Sequence, residues 1–347
     1  MIKVLIVDDS ALIRSLLSEI IRSEPEFVLV GAAPDAYLAK DLVNQYQPDV
    51  ITLDVEMPKV DGLTFLDRLM KARPTPVVMI STLTERGADV TLRALELGAV
   101  DFIAKPRIDV AAGIESYRQE IISKIKNAAQ AKVGNRPVSS VKPVKTNHGF
   151  NVSEKILAIG ASTGGTEAIK TLLLALPLDC PGVLITQHMP AGFTKTFAER
   201  LNKLCPHTVK EAEENDRVLP GHIYIAPGSL HLELVRSGAD FRLKLTDHDK
   251  VSGHKPSVDV LFRSVARAAG PNAVAAILTG MGKDGALGIQ EIHNAGGYTI
   301  AQDEESCVVF GMPKEAINTG AVDKVCSLSD IAQLAFNELS RRGSYRL

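Results

Sequence analysis

Short apolar runs alternate with longer amphipathic stretches along most of the chain. In the first third, runs at 3–7, 27–32, 49–53, 76–81 and 100–104 read as strands. The stretches between and after them, 11–23, 36–46, 63–72, 88–97 and 114–129, carry apolar residues at helical spacing. Leu12, Leu16, Leu17 and Ile20 form one such face, and Ser10 stands ahead of it as a candidate N-cap. Five successive strand-then-helix units predict a parallel sheet with helices on both faces.

The pattern breaks after about Gln130. Residues 131–152 hold Gly134, Pro137, Ser139, Ser140, Pro143 and Gly149. They also carry Lys132, Arg136, Lys142 and Lys145 with no acidic residue. That composition predicts a mobile basic linker rather than a packed element. Alternation resumes with strand-like runs at 155–160, 182–187, 222–226, 273–279 and 298–301, and helical patterns at 166–176, 191–204, 258–268, 286–294 and 330–341. Residues 231–236 and 241–246 alternate polar and apolar around Ser237-Gly238-Ala239-Asp240, which predicts a hairpin. The expected organisation is an α/β domain at 1–125, a linker at 126–152 and a second doubly wound α/β domain with some antiparallel strands at 153–347.

Composition narrows the function classes. The 347 residues are 45% hydrophobic and 23% charged, and 39 basic against 41 acidic side chains leave a net charge of -2. Neither a nucleic-acid partner nor insertion into a membrane is expected from that balance. Tryptophan is absent and aromatics are 5%, so the cores must be aliphatic and base-stacking platforms are disfavoured. The four cysteines form no C-x-x-C pair or zinc spacing, and reduced thiols are expected. Val4 to Val7 runs into Asp8-Asp9, a buried strand rather than a signal peptide, and the apolar stretch 171–188 is broken by Pro177, Asp179, Pro181 and Gly182. A cytoplasmic protein is the expectation.

Candidate chemistry in the first domain sits at strand ends. Asp8 and Asp9 follow the first strand, Asp54 the third and Lys105 the fifth, while Ser81 ends the fourth. A parallel sheet brings these ends to one edge. Carboxylates converging there call for a cation, and hard oxygen ligands suit Mg²⁺. Metal, ammonium and hydroxyl together meet the needs of phosphoryl transfer. The segments Val7-Asp8-Asp9-Ser10, Leu53-Asp54-Val55-Glu56-Met57-Pro58, Asp61-Gly62, Ser81 and Lys105-Pro106 resemble the receiver domain of bacterial response regulators, a flavodoxin-like fold with a five-stranded parallel sheet. The resemblance implies that Asp54 accepts a phosphoryl group from a histidine kinase. It also implies that Asp8, Asp9, Asp54 and the backbone carbonyl of Glu56 hold Mg²⁺, and that Lys105 and Ser81 contact the phosphoryl oxygens. Phe102 occupies the switch-aromatic position without a hydroxyl, and Lys105-Pro106 is a candidate cis bond.

In the second domain, Ile159-Gly160-Ala161-Ser162-Thr163-Gly164-Gly165 follows a strand and opens a helix. A phosphate cradle is one reading, but no Gly-Lys-Ser/Thr follows. The other is a nucleophile, since Gly160-Ala161-Ser162-Thr163-Gly164 satisfies G-x-S-x-G. His188 ends the strand 182–187, and Asp284 follows the strand 273–279 within Thr279-Gly280-Met281-Gly282-Lys283-Asp284-Gly285. Ser, His and Asp at the ends of neighbouring parallel strands would suit a triad. His207, His222, His231, His248, His254 and His293 are rival histidines, of which His254 could line a cleft.

Ile159 to Gly165, Gln187-His188-Met189-Pro190, His254 to Phe262 and Leu278 to Gly285 are similar to the catalytic domain of chemotaxis protein-glutamate methylesterases, the CheB family. The resemblance implies phosphorylation-activated hydrolysis of glutamate methyl esters on methyl-accepting chemoreceptors, with methanol released, and deamidation of receptor glutamines. It assigns Ser162 as nucleophile, His188 as general base and Asp284 as its orienter. No cofactor is expected for that hydrolysis. The Met281 N–H is a candidate oxyanion donor and Thr163 a candidate to orient the histidine. A binding module without catalysis is the alternative. A receiver-linked transcription factor would need a helix-turn-helix or basic output domain, which residues 153–347 do not offer.

Overall fold

The computed structural model describes residues 1–82, 84–105, 114–134, 144 and 154–341. The chain divides into two compact units, Met1–Arg136 and Pro137–Leu347.

The first unit contains β1 (Ile2–Val7), α1 (Ala11–Ser23), β2 (Phe27–Ala33), α2 (Ala36–Tyr46), β3 (Val50–Asp54), α3 (Gly62–Ala72), β4 (Val77–Ser81), α4 (Glu85–Glu96), β5 (Asp101–Ala104) and α5 (Ile114–Ala129). The strands form one sheet in the order β2-β1-β3-β4-β5, every pair parallel. Val4 to Val7 and Val77 to Ile80 are fully buried, as strands covered on both faces must be. Strand order reverses between β1 and β3, which opens a crevice beyond their C-terminal ends. Ser10, Asp35 and Asp61 cap α1, α2 and α3 with side-chain oxygens.

The linker boundary needs correction. Residues 126–129, assigned to the linker, are the last turn of α5. Ile125 and Ala128 are buried, and Lys126 pairs with Glu24 and Glu26 at 3.1 and 2.8 Å. Val144, also assigned to the linker, is buried and donates its N–H to Ala175 O at 3.0 Å. The rest of 135–153 and the Lys105-Pro106 bond lie outside the described residues.

The second unit is built around β6 (Ile156–Ala161), β7 (Gly182–Gln187), β8 (Thr208–Glu211), β9 (His222–Ile225), β12 (Ala273–Ile277), β13 (Tyr298–Gln302) and β14 (Lys324–Cys326). They form a parallel sheet in the order β14-β13-β12-β6-β7-β9-β8. Its helices are α6 (Gly165–Ala175), α7 (Phe193–Leu204), α8 (Val258–Ala269), α9 (Ala286–Asn294), α10 (Met312–Asn318) and α11 (Leu328–Arg341). The expected hairpin is present as β10 (His231–Ser237) and β11 (Asp240–Thr246), antiparallel and joined to α8 through Leu234 N–H and Ser264 Oγ at 2.8 Å. The chain starts this sheet at β6, builds outward through β7, then returns to β12 on the other side. The crevice therefore falls at the C-terminal ends of β6 and its two neighbours. The four cysteines are free, three of them buried.

Candidate functional site

The receiver crevice collects the predicted carboxylates. Asp8 and Asp54 are buried at the ends of β1 and β3. Lys105 Nζ lies 2.7 Å from Asp54 Oδ2 and 3.7 Å from Asp8 Oδ2. Ligating oxygens of Asp8, Asp9 and Asp54 fall within 4.8 Å of one another. Burial pushes the Asp54 carboxyl up to about 6 against the pull of Lys105, and burial raises Asp8 too. Burial works to lower the Lys105 ammonium, but its bond to Asp54 leaves it raised overall. Asp8 Oδ2 is buried without a hydrogen-bond partner. A cluster of hard carboxylate oxygens, one of them without a hydrogen-bond partner, fits Mg²⁺.

Around this cluster, Ser81 Oγ donates to Gly87 O at 3.2 Å. Phe102 is buried, with Lys124 Nζ 5.1 Å from its ring centroid. The Glu56 side chain is exposed, and its N–H donates to Asp54 Oδ1 at 3.3 Å.

In the second unit, three strand ends meet. Ser162 follows β6 and His188 follows β7, whose last residues Ala161 and Gln187 are register partners. His188 N–H donates to Ala161 O at 3.1 Å, and Ser162 N–H donates to Thr279 O, just past β12, at 3.1 Å. The buried Gln187 amide donates to Ser162 O at 2.9 Å and His188 O at 3.2 Å, tying the two backbones together. Gly164 follows at φ +77 with Val308 Cγ2 2.4 Å from where a Cβ would stand, so this turn requires glycine.

His188 Nε2 lies 2.8 Å from Asp284 Oδ2. Asp284 is fully buried and sits against the N-terminus of α8. Val258 N–H reaches Oδ2 at 2.7 Å, while Asp259 N–H at 3.0 Å and Ser257 Oγ–H at 2.7 Å reach Oδ1. Burial alone would raise its pKa, but His188 and these donors hold the carboxyl below the ordinary value. A carboxylate at Nε2 fixes the proton there and leaves the lone pair on Nδ1. That nitrogen is buried and has no hydrogen-bond partner. Ser162 Oγ makes no hydrogen bond to the ring in this structure; such contacts commonly tighten only with substrate bound.

Gly280 packs directly on Ser162: a Cβ there would stand 2.8 Å from Ser162 Cβ. The next peptide N–H, that of Met281, makes no hydrogen bond among the described residues. Thr163 is buried, and its carbonyl accepts from Thr279 Oγ1 at 3.0 Å. Sequence reasoning missed the roles of Gln187, Ser257 and the α8 N-terminus. Ser257, as the α8 N-cap, was the readable signal.

His254 lies flat on His188, with ring centroids 3.7 Å apart and planes 3° from parallel. The pair and Asp284 are close enough to suggest a metal cluster. Imidazole lone pairs lie in the ring plane, however, and two parallel planes at this spacing cannot converge on one ion about 2.0 Å from each nitrogen.

Together the fold and its two clusters define a response-regulator receiver followed by a doubly wound α/β unit with Ser, His and Asp at its crevice. Residues 4–113 match the response regulator receiver domain and residues 157–335 the CheB methylesterase family. The chain belongs to the CheB methylesterase family. It is 58% identical over 343 residues to the protein-glutamate methylesterase/protein-glutamine glutaminase 2 of Pseudomonas aeruginosa, covering 99% of this chain and 98% of that one. It is 62% identical over 337 residues to the protein of the same name from Shewanella oneidensis, covering 95% of each. The crystal structure of the Thermotoga maritima CheB methylesterase catalytic domain matches with a TM-score of 0.52 at 41% identity, covering 53% of this chain and 97% of that one.

Proposed function

We propose that the chain hydrolyses glutamate methyl esters on methyl-accepting chemoreceptors and deamidates receptor glutamines, and that phosphorylation of Asp54 raises the rate. The observation that carries this reading is the His188 ring, with Nε2 on a buried carboxylate and Nδ1 buried, unpartnered and one strand from Ser162.

Ser162 Oγ attacks the ester carbonyl while His188 Nδ1 takes its proton. Asp284 stabilises the imidazolium through Nε2. The Met281 N–H stabilises the oxyanion, a donor whose loss costs roughly 2.7–4 kcal/mol in such sites. His188 then protonates the leaving group, the ester oxygen so that methanol departs or the amide nitrogen of a glutamine so that ammonia departs. Water, deprotonated by His188, cleaves the glutamyl-serine ester and restores Ser162. The nucleotide-free, metal-free chemistry of this route uses only side chains and backbone of the second unit, with Thr163 helping to seat the histidine.

In the receiver, Asp8, Asp9 and Asp54 would hold Mg²⁺ with the Glu56 carbonyl, and the ion would neutralise charge on the transferring phosphoryl group. Asp54 accepts that group from a histidine kinase, Lys105 pairs with its oxygens, and Ser81 leaves Gly87 O to meet it beside the buried Phe102. The receptor side chains to be hydrolysed are cytoplasmic, which places the enzyme there; among the described residues no helix is long and apolar enough to cross a membrane.

The test is methanol release from methylated receptor membranes, with and without a phosphodonor. Ser162→Ala should abolish release, and Asp54→Asn should abolish both phosphodonor labelling and stimulation. Undiminished release by Ser162→Ala, or normal labelling of Asp54→Asn, would overturn the corresponding assignment.

A further inference from the structure

A hydrogen bond at one ring edge is a pivot. Asp284 fixes His188 Nε2, but by itself it leaves the imidazole free to swing its other edge away from Ser162. The group that stops the swing is His254. Its ring covers one whole face of His188 at 3.7 Å and 3°.

The ring of His254 is itself firmly placed. Val251 and His254 exchange backbone hydrogen bonds of 3.1 and 2.9 Å across a tight turn. Ser252 and Gly253 take that turn at φ +52 and +83. Ser252 Oγ donates to Asp259 Oδ2 at 2.9 Å, so the turn is anchored to α8, the helix whose first N–H groups clamp Asp284. His254 Nδ1 lies 2.9 Å from Ser252 O, and a carbonyl can only accept. Nδ1 therefore carries a proton, and in the neutral ring the lone pair is on Nε2. One rigid support thus fixes both the carboxylate at the edge of His188 and the ring on its face.

We propose that His254 is a positioning residue for His188: it holds the imidazole plane in line with Ser162 and keeps water from that face. The inference rests on the triad reading above. Neutrality is part of the role, because a cation stacked on an imidazolium would oppose proton uptake from Ser162. Burial first, and then His188 itself, push His254 down to about 4. The ionisable groups facing it are His188, Asp284 and Lys250.

The experiment compares full-length His254→Ala, His254→Leu and His254→Phe with the parent and Ser162→Ala. Methanol release from methylated receptor membranes is followed, and cooperative melting is checked for each variant. Phe keeps a flat neutral face; Leu fills the volume without one. Ala and Leu should lower kcat by about 10–100-fold with KM within about three-fold, the size expected of a misaligned reacting group. Phe should stay within about three-fold of the parent. A folded Ala or Leu variant with parental kcat would overturn the proposal, as would Phe no better than Leu. If Ser162→Ala turns over normally, the triad reading itself fails; if it is inactive while the His254 variants are unaffected, only this inference fails.

Discussion

Asp284→Asn perturbs the site by a single atom, and its consequences can be worked through bond by bond. The carboxylate has no exposure to solvent and accepts four hydrogen bonds. Ser257 Oγ and Asp259 N–H reach one oxygen at 2.7 and 3.0 Å, and Val258 N–H and His188 Nε2 reach the other at 2.7 and 2.8 Å. Asparagine replaces one acceptor with a donor. With the amide nitrogen facing His188, it confronts the Val258 N–H and obliges Nε2 to accept. The ring proton then moves to Nδ1, the nitrogen proposed to take the proton of Ser162. With the nitrogen on the other side, it confronts the Asp259 N–H, and the charge that stabilises the imidazolium is still gone. Either way one buried backbone donor loses its partner, which costs about 1–3 kcal/mol and should lower the melting temperature of the catalytic unit by several degrees. A wrong tautomer in a Ser-His-Asp site costs on the order of 10⁴-fold in kcat. The assay is methanol release from methylated receptor membranes, paired with a melt monitored by circular dichroism. A folded Asp284→Asn enzyme within about ten-fold of the parent would refute the claim that Asp284 sets the tautomer of His188.

A methyl group added at Gly280 would stand 2.4 Å from Met312 Sδ and 2.8 Å from Ser162 Cβ. Gly280→Ala should therefore displace the nucleophile or the Met281 N–H and cut kcat by about 100-fold, with fluorophosphonate labelling falling in parallel; full labelling would show that the two backbones can move apart freely. Burial holds His231 below its ordinary value of 6.5 and, with His188, pushes His254 to about 4. The unfolded chain takes up these protons first, so their stability contribution is whole above pH 6.5 and drains as pH falls toward 4. The melting temperature of the catalytic unit should fall across that window, with a shallower fall in His254→Phe; equal slopes would exclude His254 as a contributor.

The strand ends that carry Asp8, Asp54, Ser162 and His188 were legible because buried parallel strands read as unbroken apolar runs. Val4 to Val7 is such a run, stopped by Asp8, and residues 273–278 are another, stopped by Thr279. The edges of the second sheet were not legible. β8 buries only Val209 of its four residues and β14 buries none, so neither carries a hydrophobic signature. The helical spacing of 114–129 gave the end of α5, but the domain boundary at 125 cut through that last turn, where Asn127 is buried and Lys126 is held by two glutamates. Within the candidate site, the chemistry-bearing residue types could be listed from the sequence but their orientation could not. The turn that lays His254 on His188, the amide of Gln187 and the choice of ring nitrogen depend on tertiary contacts across three strands and one helix. Local spacing does not encode those contacts.

The tie that Gln187 makes between β6 and β7 has a consequence for signalling. Ser162 and His188, the proposed nucleophile and base, follow adjacent strands of one sheet and are stapled through their own carbonyls, and Asp284 beside His188 is gripped by a helix of the same unit. The backbone that carries these three residues is therefore set within one unit. On the proposed reading a phosphoryl group arriving at Asp54 need not rebuild it; what it would govern is traffic, meaning which receptor side chains enter the crevice and how often.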